Sequence, residues 1–206
     1  MKSSDSFLTG GPAFVITEKK AVRDMDEQAA RKRAEDSAAF CRSPGCEDEL
    51  WDVYDDAGRK TGALHRRGDP LAPGEKHLCV HVWIRDPAGD YLITRRAPGK
   101  SLPGLWECTG GCALAGEDGL TAALREVREE TGLALDPADG ELLLRWTGEF
   151  FLCDVFLFRR RIDPTALTLQ PAETEKARLA PLREIRALQK AGQFVPWDYI
   201  DTLPEG

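Results

Sequence analysis

The sequence predicts an α/β (α+β) fold in which strands and helices share one main domain. Three stretches predict it. Residues 78–84 alternate: Leu78, Val80, Val82 and Ile84 point one way, and His77, Cys79, His81 and Trp83 the other. Residues 150–160 are apolar on both faces, as a central strand covered on two sides must be. Between them, residues 110–133 read GGCALAGEDGLTAALREVREETGL, with Leu120, Ala123, Leu124 and Val127 at helical spacing. At 206 residues, the chain has room for one domain of about 150 residues and an appendage.

The appendage comes first. Residues 1–48 form an N-terminal extension, partly helical. Phe14-Val15-Ile16 suits a short strand or an adhesive patch, and residues 20–40 suit a helix with a thin stripe of Val22, Met25, Ala29 and Phe40. Ser43-Pro44-Gly45 then turns the chain. The main domain spans residues 49–206. Its first strand covers residues 50–54, a turn follows over 55–58, and residues 60–65 return. A loop rich in Pro and Gly leads to the strand at 78–84. Residues 87–90 turn it into a partner strand at 91–95.

Asp118 caps the start of the central helix, and Gly132 stops it. Asp136-Pro137 opens a loop. Residues 142–147 and 150–160 are two strands joined near Gly148-Glu149. After a turn at Asp163-Pro164, Glu173-Thr174-Glu175 forms an acidic loop before a last strand over 176–179. Residues 181–191 form a second helix with Leu182, Ile185, Leu188 and Gln189 on one side, ended by Gly192. The tail from Phe194-Val195-Pro196-Trp197 packs on the domain or lies near the mouth of a site.

Composition excludes several functions. Lys plus Arg is 28 and Asp plus Glu 35, giving a net charge of −7. A nucleic-acid polymer calls for a basic stripe that this chain lacks. A small anionic substrate remains compatible, because a metal and a few cations override a modest global charge locally. No apolar run approaches about 18 residues, so no membrane span is expected. The six cysteines are scattered without a CxxC pair. They read as reduced thiols of a cytoplasmic protein, and Cys41 and Cys46 make at most a weak zinc motif.

The central helix carries the chemistry. Glu126, Glu129 and Glu130 are i, i+3 and i+4 neighbours, so their carboxylates meet beside the apolar stripe. Two charges about 5 Å apart in a partly buried setting, at an effective dielectric of about 20, repel by roughly 3 kcal/mol. A divalent cation reverses that sign, and hard oxygen ligands suit Mg²⁺ or Mn²⁺. The alternative from these residues alone is a solvated acidic face offset by Arg125 and Arg128.

The flanks extend the pattern. Gly111, Glu117, Arg125-Glu126-Val127, Glu129-Glu130 and Gly132-Leu133 resemble the Nudix box at every fixed position and spacing. The resemblance implies an α/β/α sandwich with a mixed central sheet, and metal-dependent hydrolysis of a nucleoside diphosphate linked to another moiety. It implies Glu126, Glu129 and Glu130 as metal ligands, with the Gly110 carbonyl as a further candidate. Arg125 would orient the glutamates, Glu117 would brace the loop, and Gly111 and Gly132 would be structural. Glu173 is the best match for a further ligand or general base, with Glu175 second. Glu129 is the other candidate base.

Residues 50–200 also resemble the Nudix branch related to isopentenyl-diphosphate isomerases, through YLITRRAPGKSLPGLWE. That pattern makes Arg96 and Lys100 candidates for holding the diphosphate, where cations offset phosphate and leaving-group charge. Those isomerases use a catalytic cysteine after their tryptophan. The matching position here is Gly110, and Cys108 falls two residues early. His77 resembles an isomerase metal ligand, but the isomerase's other ligands do not match. His77 and His81 lie on one strand face about 13 Å apart, too far to share an ion. Three activities are therefore open: a Nudix hydrolase, an isomerase-like enzyme and a non-catalytic nucleotide-sensing module. Expected partners are a small-molecule diphosphate and, as an open alternative, a second copy of the chain.

Overall fold

The computed structural model describes residues 48–205. The expectations for residues 14–16 and 20–40, and for Cys41 and Cys46, lie outside the described residues.

β1 (Leu50–Tyr54) and β2 (Lys60–Arg66) make an antiparallel ribbon, with Leu50 opposite Arg66. Asp55 shapes its turn by accepting from the backbone N–H groups of Ala57 and Arg59, each at 2.9 Å. The main sheet has seven strands: β3 (His77–Arg85), β4 (Tyr91–Arg96), β5 (Trp106–Glu107), β6 (Thr109–Cys112), β7 (Glu141–Thr147), β8 (Phe151–Arg159) and β9 (Thr174–Ala180). Its order is β5-β4-β3-β8-β7, with β6 also paired to β3 and β9 to β4. β3 and β8 run parallel, His77 opposite Phe151, whereas β6, β7 and β9 pair antiparallel with their neighbours. The sheet is mixed, as expected.

Each face of the sheet carries a helix. Leu78, Val80, Val82 and Ile84 pack with Leu152, Phe156 and Phe158 and with Ala122, Ala123 and Val127 of α1 (Gly119–Thr131). The alternate residues Trp83, Cys153, Val155 and Leu157 pack with Leu182 and Ile185 of α2 (Leu182–Lys190) and with the tail. β8 is therefore buried on both faces, which is why it lacks polar alternation.

Two stretches differ from expectation. The segment leading into the box contains β5 and β6, which are not among the strands expected from sequence. Strands of two and four residues are too short to show a period. The acidic run at 173–175 is not all loop: Thr174 and Glu175 begin β9, where Thr174 lies opposite Arg96. No described helix is long and apolar enough to cross a membrane.

Candidate active site

α1 is built as its sequence requires. The Asp118 carboxylate accepts from the Thr121 backbone N–H at 2.8 Å. Gly132 closes the helix in the left-handed region at φ 75°, and its N–H reaches the Arg128 carbonyl. Between these caps, α1 turns Glu126, Glu129 and Glu130 to one side, each in a different environment. Glu130 is buried, Glu126 is 13% exposed and Glu129 is 51% exposed.

Arg125 ties the box together. Its Nε and Nη2 donate to the two Glu117 oxygens at 2.9 and 3.0 Å. Nη1 reaches Glu126 at 2.9 Å and Glu129 at 3.0 Å, and Nη2 also donates to the Cys112 carbonyl at 2.9 Å. Glu117 in turn accepts from the Leu114 N–H at 2.9 Å. Burial opposes the Glu117 charge, but Arg125 and this backbone donor outweigh it and hold the carboxyl below its ordinary range. One guanidinium thus fixes the loop entering α1 and orients two of the acids.

A second cation gathers acids from three parts of the chain. Lys100 Nζ lies 2.7 Å from Glu173, 3.3 Å from Glu130 and 3.6 Å from Glu107. Burial pushes the lysine pKa down, but Glu130, Glu107 and Glu173 together push it further up. Burial also dominates the glutamates. It lifts Glu126 to about 7 against the pull of Arg125, and it lifts Glu130 against the pull of Lys100. One Glu130 oxygen, Oε2, is buried with no hydrogen-bond partner among the described residues.

These groups line a cavity of about 410 Å³. Glu126, Glu129, Glu130, Glu173, Arg96, Lys100, Gly110 and Gly111 all reach it, so the structure gathers nearly every site residue expected from sequence. A second set of lining side chains is aromatic: His81, Trp146, Phe151 and Trp197. Burial pushes the His81 pKa down to about 4, leaving a neutral ring near neutral pH.

Comparison with known proteins fits this arrangement. The model of the NUDIX domain matches residues 75–201. The chain belongs to the Nudix family. It is 35% identical over 157 residues to an uncharacterised Nudix hydrolase of Listeria monocytogenes, covering 75% of this chain and 93% of that one. It is also 35% identical over 87 residues to an isopentenyl-diphosphate Delta-isomerase of Streptomyces griseus, covering 41% and 44%. The crystal structure of a Deinococcus radiodurans protein superposes with a TM-score of 0.63 at 24% identity, over 75% of this chain and 96% of that one. That likeness is one of fold.

The Nudix box has clear geometric reasons for its glycines. A Cβ on Gly110 would sit 2.3 Å from the Val80 carbonyl oxygen, and one on Gly111 would sit 2.2 Å from Glu126 Oε1. Gly111 is thus the space that Glu126 fills. Gly111→Ala is expected to displace that carboxylate and lower stability by about 1–3 kcal/mol through overpacking. Denaturant titration would measure the loss. Wild-type values for the variant would show that Glu126 has room to spare.

The Nudix chain sorts the remaining candidates. Glu173 joins the cavity, whereas Glu175 pairs outside it with Arg95 at 3.7 Å. Arg96 is buried and committed: Nη1 donates to Glu107 at 2.5 Å, while Nε and Nη2 donate to Ser101 at 2.6 and 2.8 Å. It therefore braces Lys100's loop and Glu107 as well as lining the cavity. His77 stacks on Trp51 at 4.4 Å and also lines the cavity. Sequence reading gave no role to Glu107. It follows Trp106 in a strand too short to recognise, and only its pairing opposite Thr94 aims it at Lys100. His81 and Trp146 were likewise unassigned, because their meeting depends on the tail.

The donors around Glu130 suit a hard cation. They are carboxylate oxygens, and one buried oxygen lacks a partner. Among the described residues, no three acidic, histidine or cysteine side chains are placed so that they could hold a metal ion as they stand. Lys100 supplies the positive charge among Glu107, Glu130 and Glu173 instead. Glu126, Glu129 and Glu130 remain the residues of α1 from which an ion could be held.

Proposed function

We propose that the chain hydrolyses the diphosphate linkage of a nucleoside diphosphate joined to another moiety, with Mg²⁺, or alternatively Mn²⁺, as cofactor. The observation that carries this reading is the unpartnered, buried oxygen of Glu130, a residue that lines the cavity together with Glu126 and Glu173. Glu126, Glu129 and Glu130 would hold the ion, with the Gly110 carbonyl as a further ligand. When bound, such an ion offsets phosphate charge and makes its water more acidic.

The protein's own groups supply the remainder. Arg125 orients Glu126 and Glu129. Glu129, the most exposed of the three acids, or Glu173 accepts the proton of the attacking water. Lys100 and Arg96 favour the anionic substrate and leaving group. The cytoplasm, with its reduced thiols and nucleotide pool, is the compartment this reading implies.

An isomerase reading is weaker. Gly110 stands where the catalytic cysteine would, and burial raises the Cys108 thiol well above its ordinary pKa, opposite to what a nucleophile needs. A purely sensing module has no evident use for an oriented set of buried acids. The deciding experiment incubates the purified chain and Mg²⁺ with nucleotide sugars, ADP-ribose, dinucleoside polyphosphates, nucleoside triphosphates and isopentenyl diphosphate. Release of a nucleotide or phosphate product is expected. Proton exchange at the isoprenoid, or no turnover of any compound, would overturn the reading.

Metal binding should also depend on pH. Burial raises Glu126 to about 7 and raises Glu130 too, from an ordinary 4.5. A raised carboxyl keeps its proton in the fold after the unfolded chain has lost it. Without divalent ions, its contribution to stability therefore falls as pH climbs from about 4.5 through the folded value. A cation that binds the carboxylate competes with that proton. Mg²⁺ should consequently raise the melting temperature more at pH 8 than at pH 6. An equal shift at both values, or none, would contradict the assignment of these acids as ligands.

A further inference from the structure

We propose that His81, Trp146 and Phe151 form a nucleobase subsite in which His81 Nε2 donates a hydrogen bond to an acceptor on the edge of the base. The proposal rests on the nucleoside diphosphate reading above and assigns residues to the part of the substrate that reading leaves open. All three side chains line the cavity that the Nudix glutamates share.

The ring nitrogens of His81 are differentiated by the tail. Tyr199 Oη lies 2.6 Å from His81 Nδ1 and 3.3 Å from Trp83 Nε1. Indole nitrogen only donates, so the phenol oxygen accepts from Trp83 and has its own hydrogen to give. Imidazole nitrogen is the better acceptor beside it, because the neighbouring Cys108 thiol accepts weakly. Nδ1 therefore accepts, and in the neutral ring the hydrogen sits on Nε2. A protonated ring would carry a hydrogen on Nε2 as well, so the donor is present in either state. Among the described residues, the His81 side chain makes its one hydrogen bond at Nδ1.

The ring is also held in place. His81 packs on Trp197 at 4.1 Å, and Trp197 stacks on Tyr199 at 6.0 Å with their planes 10° apart. Trp146 meets Phe151 at 4.9 Å and Tyr199 at 5.7 Å. A fixed donor beside half-buried aromatic faces suits a flat heterocycle with acceptors on its rim. A hydrocarbon chain has no acceptor to offer, and a sugar has no flat aromatic face.

Binding to the full chain tests this without relying on turnover. Calorimetry with AMP, GMP, CMP and UMP, against ribose 5-phosphate, isolates the base. At least one nucleotide should bind more tightly than ribose 5-phosphate. His81→Phe should weaken that nucleotide by about tenfold to a hundredfold and leave ribose 5-phosphate within about twofold. His81→Gln, which retains an N–H donor, should recover part of the loss. Tyr199→Phe, which frees the ring nitrogens to exchange roles, should cause a smaller loss in the same direction.

Equal binding of all five probes to the wild type would overturn the subsite, as would a His81→Phe effect that is absent or equal for nucleotide and sugar phosphate. Should His81→Phe fail to fold, His81→Gln and Tyr199→Phe decide the matter by the same comparison. The two readings fail separately. A His81-dependent nucleotide preference without any hydrolysis removes the enzyme reading alone, and hydrolysis without base preference removes the subsite alone.

Discussion

Glutamine in place of Glu130 is expected to lower turnover by about 10²- to 10⁴-fold while the protein stays folded. The residue combines deep burial, an unpartnered oxygen and a 3.3 Å pair with Lys100. Glutamine keeps the shape and removes the charge that a cation needs. The fold should tolerate it, because Lys100 retains Glu173 at 2.7 Å and Glu107 at 3.6 Å. The variant also relieves the cost of a buried charge. Steady-state rates on a substrate found by the screen, circular dichroism and Mg²⁺ calorimetry would be compared with Glu175→Gln. That control sits outside the cavity against Arg95 and should match the wild type. A folded Glu130→Gln enzyme at wild-type rate would remove this residue from the chemistry.

Lys100→Met should produce the largest loss of stability. The Lys100 side chain is only 7% exposed, and its ammonium serves Glu107, Glu130 and Glu173 together. Without it, these acids face one another in a buried space, with Arg96 relieving Glu107. Removing one partner of a buried ion pair costs about 3–5 kcal/mol, and that range is expected near pH 7.5 from urea unfolding. The deficit should shrink towards pH 5, because burial raises the Glu130 carboxyl and it takes up a proton as pH falls. Mg²⁺ should restore part of it, since a divalent ion can take over the lost charge. A loss below about 1 kcal/mol that does not vary with pH would mean the lysine is dispensable to the acids.

Much of this architecture was legible because its signals are local. The caps of α1, Asp118 and Gly132, sit within a turn of the elements they close. β8 betrays its central position by being apolar on both faces. The acids of the box share one helix, so spacing alone brings them together. What escaped was set by contacts between distant parts of the chain. Glu107 matters through a two-residue strand paired with β4. His81 was readable as a polar residue on a strand, but its orientation is fixed by Tyr199 and Trp197. Glu173 was chosen over Glu175 by resemblance. In the fold, the start of β9 turns Glu173 towards Lys100 and Glu175 towards Arg95.

The parallel pairing of β3 with β8 bears on how the molecule assembles. β3 can join β4 and β6 early, since the chain between them is short. Its other edge pairs with β8, His77 opposite Phe151, across α1 and β7 in the sequence. Pairings this distant in sequence form late and slowly. Until then the Val80 and Val82 edge stays open to the wrong strand. Refolding from urea should therefore be paced by that closure, and a chaperone that shields open sheet edges would raise the yield more than one that promotes helix formation.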